Sequence, residues 1–335
     1  MDYTSIFKRA FEVTFKYRAL WIFGFFLALC SANGGGNGGG QNFTSGPDSF
    51  GNGPGSDFFP PGFDIDPAAI FTIIALIFCL VVVLAIIGAV VRSVTRASLI
   101  GMVDQIEERD TVTVKEGWRF GWSKSAVNIF LINLVVIAPL VVLFLGLFGV
   151  AILFFVLAAD GGENPAMGFF GIFSGIGLLL LGLFLIFIIA LVITPWLELS
   201  WRFAVLQGTG ALDSLKRSFA LIRQNWKAVI LTWLLLIGAG IGWAIVSIFL
   251  GLFVIIVGAI VGAVPGLIVY LLSQTVWAAI LAGLPFFLIV VIIPLTFAQG
   301  LFVTFRSGVW TLAFRTLIGE EASTPQLDAT APASG

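Results

Sequence analysis

The sequence predicts an all-α fold, a polytopic helical membrane bundle, on three observations. Of 335 residues, 59% are hydrophobic and 10% charged, whereas soluble domains run near 45–50% apolar and about 25% charged. Apolar stretches extend well beyond the ~18 residues that define a candidate span. All 17 Lys and Arg residues fall into clusters, with long basic-free segments between them. The formal charge is −1, so no basic field points to a nucleic-acid partner. Histidine is absent, which removes the commonest general base, metal ligand and near-neutral proton switch.

The basic clusters are Lys8–Arg18, Arg92–Lys124, Arg202–Lys227 and Arg306–Arg315, separated by Ala19–Val91, Ser125–Trp201 and Ala228–Phe305. Basic loops stay on the cytoplasmic side, and a charge at mid-membrane costs about 2.5–3.5 kcal/mol. Each gap therefore reads as an outward-and-back hairpin, with both termini cytoplasmic. Six spans follow, near 19–32, 68–91, 126–158, 168–197, 228–262 and 277–304. The third and fifth exceed the ~20 residues that cross the hydrocarbon layer, which implies tilt or protrusion. Val264-Pro265-Gly266 divides the last gap into two helices, with Leu267–Thr275 as an outer connector. Four shorter helices, giving eight spans, satisfy the same parity.

A short amphipathic segment precedes each hairpin. Ser5-Ile6-Phe7-Lys8-Arg9-Ala10-Phe11 leads to Arg18-Ala19, and Asp213-Ser214-Leu215-Lys216-Arg217-Ser218-Phe219 leads to Lys227-Ala228. A looser copy, Lys115–Phe120, leads to Lys124-Ser125-Ala126 and begins with a capping box, Thr113-Val114-Lys115-Glu116. The chain thus reads as one membrane domain over 1–318 in three units, about 1–92, 93–207 and 208–318, with an outer Gly/Pro-rich loop at 31–66 and a disordered tail at 319–335. Phe7, Phe11 and Phe15 make one apolar stripe; Leu212, Leu215, Phe219 and Ile222 make another, flanked by Lys216 and Arg217. Such stripes suit contact with an anionic inner leaflet or with a protein partner, and they suit packing against the helix ends as well.

The run Gly210-Ala211-Leu212-Asp213-Ser214-Leu215-Lys216-Arg217-Ser218-Phe219, followed by Asn225-Trp226 and a span, resembles a signature of uncharacterised bacterial multi-pass membrane proteins. Among these are relatives of the membrane domain that accompanies some glycerophosphodiester phosphodiesterases. The resemblance implies a helical module of the bacterial cytoplasmic membrane. It does not imply phosphodiesterase chemistry, which resides in a separate histidine-bearing barrel.

Several motifs invite a site. Asn33–Gly40 is glycine-rich but has no flanking strand or Lys-Ser/Thr, so it reads as a flexible loop rather than a phosphate cradle. The first 32 residues resemble a cleavable signal peptide, yet cleavage would destroy one unit of the repeat. Cys30 at the outer surface and Cys79 within a span should not pair. Asp104, Glu107 and Glu108 share a helix face and read as solvated, with a magnesium site as the weaker alternative. Glu198, four residues before Arg202, forms either an i,i+4 ion pair or a gate carboxylate. Gly258, Gly262 and Gly266 suit close helix contact, and Trp21, Trp118, Trp122, Trp196, Trp201, Trp226 and Trp310 suit an inner aromatic belt.

No nucleophile–base pair or dicarboxylate constellation is present, so an enzyme is not expected, and no cofactor or metal is implied. The preferred reading is a non-catalytic module organising lipids or protein partners at the inner face, with a transporter for a neutral or lipid-like substrate as the alternative. Expected partners are membrane lipids and a membrane protein or second copy of the chain.

Overall fold

The structure, a computed structural model, describes residues 2–32, 67–109, 111–160 and 165–323. Among them are nine helices and no strand: α1 Tyr3–Lys16, α2 Ala19–Ala32, α3 Pro67–Arg109, α4 Val114–Gly121, α5 Lys124–Asp160, α6 Pro165–Leu206, α7 Ala211–Gln224, α8 Trp226–Ser273 and α9 Val276–Ser323. Each unit of the repeat is a short leading helix, a middle helix and a trailing helix. Most of the 31–66 loop and residues 324–335 of the expected tail lie outside the described residues. The part of the tail that is described, to Ser323, continues α9 rather than leaving it.

Five helices, α3, α5, α6, α8 and α9, are long and apolar enough to cross a membrane. The expected first span differs. Helix α2 has 14 residues, about 21 Å, short of the ~30 Å hydrocarbon layer, and it meets α1 at a bend of 97°. Its Leu20, Phe23 and Leu27 pack with Leu99, Met102 and Val103 of α3, beside the C-terminal part of that helix. Cys30 accordingly sits level with Arg92, whose Nη2 donates to its carbonyl at 2.6 Å, rather than at the outer end of a span. Cys30 and Cys79 are both free thiols.

The last apolar segment forms two helices, not four. The expected connector is largely helical: α8 runs through Pro265 to Ser273, and the turn is Gln274-Thr275, with Gln274 left-handed at φ 54°. A proline inside a helix removes one backbone bond, whereas ending the helix leaves four carbonyls unpaired, so continuation is favoured in an apolar setting. The trailing helices α3, α6 and α9 likewise pass the expected edges at 91, 197 and 304 without a break. Hydroxyls there bond back one turn, Ser93 to Ala89, Thr95 to Val91 and Thr304 to Gly300.

The three units close into a ring. Each leading helix packs on the trailing helix of the unit before it: α4 on α3, α7 on α6, and α1 on α9. The middle helices repeat the pattern, α5 against α3, α8 against α6 and α2 against α9, while α3, α6 and α9 touch one another at the centre. Buried hydrophobic side chains concentrate at the end of the bundle that carries the basic clusters, in three groups, one centred on Trp310 and Phe314, one on Ile129 and Trp201, and one on Leu99 and Met102. Towards the opposite end the helices expose large aliphatic and aromatic residues almost continuously, such as Phe184, Val192, Phe249 and Leu281, as a surface solvated by lipid requires. The glycine stripe of α8 meets α9 there: a Cβ on Gly262 or Gly266 would lie 3.0 Å from the carbonyl oxygen of Gly283 or Ala279.

Helix α4 carries its capping box as expected. The Thr113 backbone N–H donates to the Glu116 carboxylate at 2.9 Å, and the Thr113 hydroxyl donates to it at 2.9 Å. These bonds favour the ionised form and hold the Glu116 carboxyl below its ordinary value of 4.5. A carboxyl depressed in the folded state stabilises fully above that ordinary value and loses its contribution as pH falls through the folded one. Amide protection in the first turn of α4, corrected for intrinsic exchange rates, should therefore hold at pH 6 and fall on acidification below about pH 4. Replacing Glu116 with Gln should flatten that dependence.

Candidate functional site

The ion pair expected at the end of the fourth span is present and belongs to a larger cluster. On α6, Arg202 Nη1 donates to Glu198 Oε2 at 2.8 Å and also to the Glu198 carbonyl. The Arg202 side chain is fully buried and that of Glu198 is 12% exposed. Arg202 Nη2 reaches across to α9, donating to the Ser307 carbonyl at 3.1 Å. Arg306 of α9 contributes Nη2 at 3.3 Å from Glu198 Oε1, so each carboxylate oxygen faces a guanidinium. Arg96 of α3 lies over the indole of Trp201 at 3.7 Å, and the Trp201 N–H donates to Asn133 of α5 at 3.2 Å. Glu198 thus ties α6 to α9, while Arg96 ties α3 to α6 through the Trp201 indole.

Arg96, Arg202 and Arg306 occupy matching places in the three units: Arg96-Ala97-Ser98-Leu99, Arg202-Phe203-Ala204-Val205 and Arg306-Ser307-Gly308-Val309. Each trailing helix brings its first charges to this level. The sequence reading found Glu198 and Arg202 but missed Arg96 and Arg306. The signal that reveals them is the Arg-x-small-aliphatic recurrence inside the trailing helices, not the leading segments in which the repeat was sought.

The acidic face of α3 is divided between neighbours. Asp104 accepts from Arg315 of α9 at 2.7 Å, and Glu107 accepts from Arg9 of α1 at 2.8 Å. Both carboxylates serve as clasps that hold the last unit and the first leading helix to α3. Among the described residues no Cys, Asp and Glu grouping of three has metal-binding geometry.

The leading helices bury a face different from the one their phenylalanines mark. In α1 the buried residues are Ile6, Ala10, Val13 and Thr14; Phe7 packs edge-on against Phe305 at 5.9 Å. Phe11 and Phe15 are exposed and touch each other at 4.5 Å. In α7 the buried residues are Ser214, Leu215, Ser218 and Leu221, with Ser218 hydrogen-bonded to Ser200 of α6 at 2.6 Å. Leu212 and Phe219 are exposed, as are Lys216 and Arg217. In α4, Gly117 and Gly121 face the core while Trp118 and Trp122 are exposed. Small residues inward let a helix lie close to its neighbour, which leaves the bulky ones outward. The aromatic belt is correspondingly split: Trp118, Trp122 and Trp226 are exposed, but Trp310 is fully buried and Trp201 lies beneath Arg96.

An all-helical chain with five helices fit to cross a membrane, lipophilic on most of its surface and packed as a core at one end, is a multi-pass integral membrane protein. The match extends over most of its length, residues 7–314, and the chain belongs to the family of unknown function DUF7544. No curated protein and no solved structure matches it.

Proposed function

We propose that this protein is a non-catalytic module of the bacterial cytoplasmic membrane that organises lipids, and proteins held among them, at the inner face. The observation that carries this reading is the repeated outward display on the leading helices. Phe11 with Phe15, Trp118 with Trp122, and Leu212 with Phe219 leave the core in all three units, with exposed cations Lys8, Lys115, Arg119, Lys216 and Arg217 on the same helices. Aromatic side chains beside cations match the boundary between headgroups and acyl chains of an anionic leaflet. A transporter of neutral or lipid-like substrates would need Glu198 to exchange partners, and two guanidiniums hold it. The resemblance of Gly210–Phe219 to the membrane domain accompanying some phosphodiesterases fits the same reading, with those positions lying on the displayed helix α7.

Brominated-lipid quenching tests this. In discs containing phosphatidylglycerol brominated near the headgroup, tryptophan emission should be quenched, and a Trp118→Phe/Trp122→Phe variant should lose a large share of that quenching. Equal fractional quenching in the variant and the wild type would place these side chains away from lipid and defeat the reading.

A further inference from the structure

We propose that the chain beyond α9 folds back on the bundle, seating Leu327 in a cavity between α6, α7 and α9 and pairing Asp328 with Arg217. This goes beyond the outward aromatic display and does not rest on it, since it concerns what holds one part of the chain to another.

The first ground is the cavity, of about 330 Å³. Three helices line it: Phe203 and Gln207 from α6, Arg217, Leu221 and Gln224 from α7, and Ile318 from α9. The α7 positions follow i, i+4 and i+7, one face of that helix. The floor is apolar and fixed. Phe203 stands edge-on to Phe314 at 4.9 Å, Leu221 is 2% exposed, and Ile318 packs on the same core. Pockets for discrete ligands run from about 300 to 1,000 Å³, so this one sits at the small end and suits one or two side chains.

The second ground is charge. The lining holds one cation and no acid. Arg217 Nη1 donates to Gln207 Oε1 at 3.3 Å. Among the described residues, neither the other N–H groups of Arg217 nor the Gln224 side chain has a hydrogen-bond partner. A guanidinium with spare donors at the rim of an apolar floor suits a carboxylate carried beside an apolar group.

The third ground is the tether. Helix α9 ends at Ser323, a helical rise of about 7.5 Å beyond Ile318, and Pro325 cannot continue it. The stretch from Thr324 to Asp328 reaches about 16 Å when extended, enough to return to the level of Ile318. Leu327 is the sole large hydrophobic residue after Ile318, and Asp328, next to it, is the sole acid after Glu321. Floor and rim thus find their complements side by side on the nearest free stretch of chain. A tethered partner acts at an effective concentration in the millimolar range, which lets a small contact persist. Seated there, the segment links α7 to the trailing helix of its own unit, whereas α7 otherwise packs on the trailing helix of the unit before. It also takes Arg217 out of the cations that α7 displays.

The test is cross-linking in purified full-length protein lacking Cys30 and Cys79, held in lipid discs. Ala220→Cys places a thiol on the cavity wall, and Ala329→Cys places one beside Asp328. A short bifunctional maleimide should join them within one chain, read by mass spectrometry of the joined peptides. In this background Leu327→Ser should slow the joining about tenfold, and Asp328→Asn about threefold. Arg217→Asp should slow it as well, and combining Arg217→Asp with Asp328→Arg should restore it, a rescue that tethering alone does not produce. Arg217 and Ala220 are exposed, so these changes spare the core. Equal rates in all of these proteins would mean that the tether alone brings the thiols together and would overturn the proposal, as would the absence of any link. Chains carrying one thiol each, mixed before reconstitution, should stay unjoined; a link between them would seat the segment of a second copy and overturn the assignment to the same chain. None of these outcomes bears on lipid quenching of Trp118 and Trp122, so the two readings fail separately.

Discussion

Replacing Glu198 with alanine is expected to destabilise the protein by about 3–5 kcal/mol, the cost of stranding buried charges by removing their partner. The carboxylate faces Arg202 at 2.8 Å and Arg306 at 3.3 Å, and the Arg202 side chain has no access to solvent. Without Glu198, the guanidiniums of Arg202 and Arg306 lose the carboxylate that stands between them. The loss should appear as a large drop in melting temperature in phosphate-free detergent. Removing Arg202 together with Glu198 should cost less than the sum of the single changes, because the double variant strands fewer charges. A Glu198→Ala protein that melts with the wild type would show that the cluster is solvated and the ion pairs idle.

Gly300→Val is expected to open the ring between its first and third units. An added Cβ at Gly300 would fall 2.7 Å from the backbone nitrogen of Phe25 and 2.8 Å from the carbonyl carbon of Gly24. Backbone atoms on a packed helix cannot swing aside as a side-chain tip can. Overpacking of this kind costs about 1–3 kcal/mol where neighbours can adjust, and two facing backbones adjust poorly. Trp21 and Phe297 stand across the same seam at 5.6 Å. In a protein lacking Cys30 and Cys79, cysteines placed at 21 and 297 should be bridged by a bifunctional maleimide that spans the width of the two rings, and Gly300→Val should reduce that bridging. Undiminished cross-linking would mean that α2 and α9 tolerate the extra bulk and that the seam is looser than its contacts indicate.

The sequence reveals much of this arrangement through what the bilayer tolerates. Basic-free segments mark the long apolar helices because an unneutralised cation is excluded from hydrocarbon, and the Lys-Arg-small-Phe echo marks the first and third units, with a looser copy in the second. The Thr113–Glu116 capping box and the Glu198–Arg202 pair are local, set by helix geometry alone, and so are legible from spacing. What spacing cannot express is the partner that arrives from another unit. Arg306 reaches Glu198, and Arg96 reaches Trp201, only because the ring closes, and each pair is more than a hundred residues apart in the chain. The face buried by α1 is obscured for the same reason. Phe7, Phe11 and Phe15 form the more apolar stripe, yet close packing on α9 selects Ala10 against Gly308 and turns Phe11 outward. Local apolarity also misplaces Trp310, which reads as a membrane-boundary residue until the surrounding core is known.

Closure of α1 onto α9 also orders events during synthesis. At about 5–20 residues per second, the ribosome needs roughly 15–60 s after making Ala10 to make Gly308, the residue against which it comes to rest. For that interval Ile6 and Ala10 of α1 lack the α9 side chains they pack against, although Val13 and Arg9 already have partners on α2 and α3, while α4 and α7 can dock as soon as they emerge on trailing helices already made. The face of α1 that meets α9 is therefore the last surface to be covered, and whatever shelters it in the meantime takes part in the biogenesis of this protein.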